Sequence, residues 1–154
     1  MSESMTQEQV RKLMSGGFVP RQGSRPAPSR IVIAMPLPPK ILHSNSRTKN
    51  YKWRAAETKK YREACRLSAC GTLFEQRIEP PVWKLAECQC TFYLERRRDH
   101  DGLISWMKAA FDSLQGIVIE NDSGLIHLPP KQITAKEANG ERKVLLTITE
   151  RRDP

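Results

Sequence analysis

Asp99 and Asp101 stand one residue apart in the run Arg96-Arg97-Arg98-Asp99-His100-Asp101-Gly102, at the point where an alternating apolar pattern gives way to a helical one. If extended geometry persists that far, residues two apart point to the same side and the two carboxylates face one point in space. Like charges that close raise one another's pKa, and a hard divalent cation relieves the repulsion because carboxylate oxygens suit Mg²⁺ or Mn²⁺. The plainer reading is that one aspartate caps the helix starting near Gly102 and the other is a solvated surface charge. Arg96, Arg97 and Arg98 would neutralise the pair locally, and would equally grip a phosphodiester delivered to a bound metal. Ser105, Lys108 and Asp112 follow Asp101 at +4, +7 and +11 and so share one polar helix face, which lets Lys108 look along the helix towards the carboxylates. Its ordinary alternative is an i,i+4 pair with Asp112. Glu120-Asn121-Asp122 forms a polar turn after that helix and returns an acidic group to the neighbourhood. The expectation is that Asp99, Asp101 and Asp122 gather at one spot to hold a divalent ion.

Other metal chemistries fit less well. An EF-hand beginning at Asp99 needs an oxygen ligand, a glycine and a glutamate where the chain has Leu103, Ile104 and Ala110. The Asp-x-Asp of nucleotide-sugar transferases is too short to be specific. Cys65, Cys70, Cys88 and Cys90 match neither a zinc spacing nor a secreted disulfide ladder, and Cys88 and Cys90 share parity with Ala86, Phe92 and Leu94. They read as small hydrophobes on the buried side of a strand. His43, His100 and His127 receive no role, and Trp53, Trp83 and Trp106 read as packing residues, with Trp53 alone placed beside a basic loop.

The elements that would hold these residues follow from periodicity. Ile31 to Met35 is a strand closed by Pro36, Pro38 and Pro39; Trp53 to Ala69 is a helix with Gly71 as its stop; Val82 to about Glu95 is a long alternating strand. Leu103, Trp106, Met107, Ala110, Phe111 and Leu114 form the apolar face of a second helix ended by Gly116. Leu125 to Leu128 and Lys143 to Glu150 are two further strands, and Asn139-Gly140 between them is a hairpin turn signal. The predicted fold class is α+β, a single small domain in β-α-β-α-β-β order with helices packed on a mixed sheet. Residues 1–29, with a short helix around Gln7 to Met14, read as a flexible basic N-terminal extension, and 30–152 as the folded domain.

With 154 residues the chain can build one core without disulfides or structural metal. Its 26 Lys and Arg against 17 Asp and Glu leave a net charge of +9, which points to a polyanionic partner. Between Arg47 and Arg62 there are seven basic residues and one acidic one, Glu57. A solvated helix face and a phosphate-binding segment both account for such a run. Lys49, Lys52, Arg54 and Lys59, with the three arginines, are the candidate backbone contacts. No apolar run reaches the roughly 18 residues of a membrane span, and no apolar stretch follows a basic head at the N-terminus, so a cytoplasmic protein is expected.

Together these residues resemble the RusA-type Holliday junction resolvases. The resemblance is carried by Arg-Arg-Arg-Asp-x-Asp at 96–101, Lys-Ala-Ala-Phe-Asp-Ser-Leu at 108–114, the Asp122-Ser123 turn, the Pro-rich strand end Met35–Pro39 and the closing Leu-Leu-Thr-Ile-Thr-Glu at 145–150. It spans about Ile31 to Glu150. It implies a RusA-like homodimer, common in phages and prophages, that cuts four-way DNA junctions with Mg²⁺ during recombination and repair. Asp99, Asp101 and Asp122 then match the metal-binding aspartates and Lys108 the helix lysine. The chain departs from the pattern at Gly102, usually Asn, and at Asn121, often an acid. Two rivals share parts of this reading. A non-catalytic DNA-binding or architectural protein would bind without cutting, and a nuclease for other branched DNA would share the site but not the substrate.

Overall fold

In the computed structural model of the chain, which describes residues 7–8, 28–43, 50–80, 82–134, 140 and 142–151, five strands form one mixed sheet. They are β1 (Arg30–Met35), β2 (Ala86–Leu94), β3 (Leu125–His127), β4 (Lys131–Thr134) and β5 (Lys143–Glu150). β5 lies between β1 and β2 and is antiparallel to both. On the far edge of β2, β3 runs parallel beside Ala86 to Cys88 and β4 parallel beside Thr91 to Leu94. Pro129 and Pro130 separate these two pieces, as expected of residues that offer no N–H to a ladder.

Strict alternation decides which face is core: Ile31, Ile33 and Met35, then Ala86, Cys88, Cys90, Phe92 and Leu94, then Val144, Leu146 and Ile148 are all buried. The four cysteines are free and buried, Cys88 and Cys90 on the strand face that their parity suggested and Cys65 and Cys70 on the long helix. Burial pushes the Cys65 thiol up to about 11, and Cys88 is raised well above its usual value, first by its hydrogen bond with Cys90 and then by burial.

Three helices pack on the sheet. α1 (Tyr51–Gln76) begins where the Asn50 side chain accepts the Trp53 N–H at 3.1 Å. It does not stop at Gly71. The buried stripe Tyr61, Cys65, Ala69, Cys70 and Leu73 carries the helix through, because packing outweighs the roughly 1 kcal/mol propensity cost of one glycine. It ends at Arg77, which takes the left-handed conformation at φ 60, with the Ile78 N–H returning to the Leu73 carbonyl at 2.9 Å. The second predicted helix is two short ones, α2 (His100–Trp106) and α3 (Lys108–Leu114), joined at Met107.

The hairpin expected from Asn139-Gly140 is not formed by the strands on either side of it. β5 uses one edge on β1 and the other on β2, so none is left for β3 or β4, which lie across β2 from it. Gly140 does have positive φ, 79, while Asn139 lies outside the described residues. The expected N-terminal extension and its Gln7–Met14 helix also fall almost entirely outside them, Gln7 and Glu8 being helical. Among the described residues no helix is long and apolar enough to cross a membrane.

Candidate nucleic-acid interface

The path from β2 to β3 is a crossover through α2 and α3, and it decides where each candidate residue lies. Asp99 occupies the N-cap position of α2, beyond the C-terminal end of β2, and Asp101 sits in the first helical turn. The strand stops at Leu94, so the pair is held by a helix start rather than by strand alternation. Asp99 does not spend its carboxylate on the helix: its side chain makes no capping hydrogen bond. Asp99 and Asp101 are exposed, and neither carboxylate has a partner among the described residues.

Two side chains that sequence reasoning passed over position this turn. The Gln132 amide on β4 donates to the Arg98 carbonyl at 2.7 Å and accepts the Arg98 N–H at 2.8 Å, clamping the backbone just before Asp99. His43 packs edge-on against Trp106 at 5.8 Å and fills the space over Gly102. A Cβ at position 102 would lie 3.3 Å from His43 Nε2, the far end of a side chain. Behind them, Tyr61 Oη donates to the Pro36 carbonyl and Trp106 Nε1 to the Pro39 carbonyl, both at 2.8 Å, which ties the Pro-rich segment to the helices.

Two clefts flank Trp106. The first, about 310 Å³ between α1 and the α2–α3 pair, is lined by Arg54, Thr58 and Arg62 on one wall and Ser105, Lys108 and Asp112 on the other. The polar face anticipated for Ser105, Lys108 and Asp112 therefore survives the break at Met107. Asp112 pairs with Arg62 at 3.9 Å rather than with Lys108, which is exposed. The second cleft, about 650 Å³, has Lys40, Arg96, Arg97, Arg98 and Arg142 on its walls. The Arg98 guanidinium lies 5.0 Å over the Trp106 ring, and Arg142 pairs with Glu95 at 2.9 Å.

Of the basic residues on α1, Arg54 faces the first cleft while Lys52 and Lys59 are exposed and do not line it. Lys49 lies outside the described residues. Arg62 takes the place expected of Lys59. The i, i+4, i+8 spacing of Arg54, Thr58 and Arg62 was the signal that marks the face.

Asp122 is not part of this assembly within one chain. It opens a short 3-10 turn just before Leu125, whose partner is Ala86 at the first residue of β2. β2 has 9 residues, and at about 3.3 Å each it is roughly 26 Å long, so Asp122 and Asp99 lie near its opposite ends. Leu125 pairs in parallel with Ala86, so the chain has to return to the start of β2 before β3 begins. Among the described residues, no three His, Cys, Asp or Glu side chains are grouped as a metal site. The expected single-chain trio is thus corrected to a pair plus a distant acid. As a donor set, two uncommitted exposed carboxylates still suit Mg²⁺, which is commonly held by one or two carboxylates with water and substrate phosphate completing the sphere. No protein-family model matches the chain, and no curated protein matches it.

Proposed function

We propose that the chain is a Mg²⁺-dependent, structure-specific endodeoxyribonuclease for branched DNA, of the four-way-junction-resolving kind its motifs resemble. The observation that carries this reading is the setting of Asp99 and Asp101: two exposed carboxylates without a partner among the described residues, directly after Arg96, Arg97 and Arg98, which line the second cleft. A surface built only to hold polyanion gains nothing from two negative charges beside its arginines. A site for hydrolysis does, because those charges concentrate a dication where the phosphodiester arrives.

Asp99 and Asp101 would hold the ion, and Mn²⁺ would substitute for it. When bound, it supplies an activated water and offsets charge on the phosphoryl oxygens. The chain's own side chains do the rest. Arg54 and Arg62 on one side, and Lys40, Arg96, Arg97 and Arg98 on the other, seat the backbone and fix the register of the scissile phosphate. Lys108 projects from the first turn of α3 into the first cleft, where an ammonium stabilises negative charge developing on the phosphate or the leaving oxygen.

A two-fold homodimer gives the separation of Asp122 a use. In an isologous interface, residue i of one copy meets residue j of the other and j meets i, so two antiparallel copies would bring Asp122 of each to the aspartate pair of its neighbour. Two such sites suit the approximate two-fold symmetry of a junction. The deciding experiment is cleavage of a synthetic four-way junction, with flap and plain duplex alongside, by wild type and by Asp101→Asn in Mg²⁺. Cutting of the junction by wild type and its loss in the variant are expected. Binding of all three substrates with no cutting returns the architectural reading, and cutting confined to the flap returns a nuclease for other branched DNA.

A further inference from the structure

Large apolar side chains left in water need a reason, and two of the most exposed stand on different sides of the first turn of α1. Tyr51 is 84% exposed and Trp53 is 52% exposed, whereas Trp83 and Trp106 are 5% and 4% exposed. Packing accounts for two of the three tryptophans and not for Trp53. Asn50 caps the turn by accepting the Trp53 N–H, so both rings are carried on a regular helix instead of a loop, and little backbone freedom is lost when a ligand settles on them.

The chemistry around the rings narrows the ligand. Lys52, Arg54, Lys59, Lys60 and Arg62 share the first turns of α1 with a single acid, Glu57, which is itself paired with Lys60 at 3.6 Å. Arg54, the next residue after Trp53, donates to the Leu42 carbonyl at 3.4 Å and lines the first cleft, so a cation for phosphate stands one residue from the exposed indole. An apolar protein partner is disfavoured by that density of cations, while a nucleic acid meets both demands with phosphates for the cations and a π-face for the rings. Bases inside a continuous duplex are already stacked on each other and present no free face.

We infer that Trp53 is a stacking platform for unpaired bases of a DNA strand whose phosphates run along Arg54 and its helix. The inference rests on the nucleic-acid reading above and adds to it a preference for substrates with bases out of the helix. It concerns binding alone and involves neither the aspartates nor a metal.

The test is a titration of the full chain, in chelator and at two salt concentrations, with a short oligothymidylate and with a mixed-sequence duplex of equal length, reading tryptophan emission and affinity. Trp106 lines both clefts and lies under Arg98, so the part of the quenching by oligothymidylate that Trp53→Phe abolishes is the part that reports on Trp53. We expect quenching by the single strand, and a loss of its affinity of about ten-fold in Trp53→Ala but only about two- to three-fold in Trp53→Phe. Duplex affinity should stay within about two-fold of wild type in both variants, which also shows that they are folded. No quenching by the single strand, or equal losses on the two ligands in Trp53→Ala, overturns the platform. Duplex binding that weakens with salt separates that failure from failure of the nucleic-acid reading, in which neither ligand binds and the platform falls with it.

Discussion

The two ends of β2 both carry clefts lined by ionisable side chains and balance them differently. At the N-terminal end, a cleft of about 360 Å³ is lined by Lys84 and Arg151 against Glu120 and Glu150, two cations to two acids, and Arg151 also reaches Glu87 at 3.8 Å. At the C-terminal end, one cleft sets Arg54, Arg62 and Lys108 against Asp112, and the other sets Lys40, Arg96, Arg97, Arg98 and Arg142 against Glu95, eight cations to two acids in all. The first end balances its own charge. Among the described residues the second carries a surplus of positive charge, and the aspartate pair stands beside that surplus. A patch so organised is expected to bind phosphate with steep salt dependence, while the balanced end is expected to be nearly indifferent to salt.

The largest effect should come from the aspartates. Asp101→Asn should reduce junction cleavage by at least about 100-fold while leaving binding in chelator intact. Asp122→Asn, at the opposite end of β2, should do the same only if that end serves a neighbouring copy. Mixing the two inactive variants then restores nicking, since a mixed dimer has one site with all three aspartates. Failure of the mixture to cut, with each variant dead alone, would show that the two ends do not meet.

Glycines at the two ends separate stability from function. A Cβ on Gly124 would overlap the Lys84 backbone carbonyl, which has little room to retreat, so Gly124→Ala should cost about 2–3 kcal/mol in denaturant unfolding. Gly102→Ala meets only the far end of the His43 side chain at 3.3 Å and should cost less than about 1 kcal/mol.

Charge reversal tests the surplus itself. Arg62→Glu should weaken DNA binding about ten-fold and flatten its salt dependence, whereas Lys84→Glu at the balanced end should change affinity by less than about two-fold. An equal response at both ends would remove the basis for the comparison.

The smallest effect concerns His127, on β3, stacked on Phe111 at 4.3 Å. Burial lowers its pKa, so the folded state binds its proton less readily than the unfolded chain does. Its contribution to stability is then complete above the ordinary histidine range and is lost as pH falls through the lowered folded value. His127→Asn should shallow the decline in melting temperature on the acid side of neutrality without changing melting above it.

Much of the fold was legible because its signals are local. Alternation through Ala86, Cys88, Cys90, Phe92 and Leu94 names the buried face whatever lies beside it. The apolar positions from Leu103 to Leu114 likewise name a helical face that survives a break at Met107. Where a local signal met a tertiary demand, the demand prevailed: Gly71 sits inside α1, and Asn139-Gly140 does not join neighbouring strands. The Gln132 clamp on Arg98 and the seat of His43 over Gly102 left no mark in the sequence, since each joins residues far apart in the chain and of ordinary type.

Residue types and short spacings therefore determined by themselves which side chains are acidic, basic or apolar, and which neighbours share a face. The tertiary structure alone decided which acids meet. β3 begins beside Ala86 at the start of β2, so the crossover that leaves Asp99 at one end of β2 delivers Asp122 to the other, and no pattern within either segment encodes that distance.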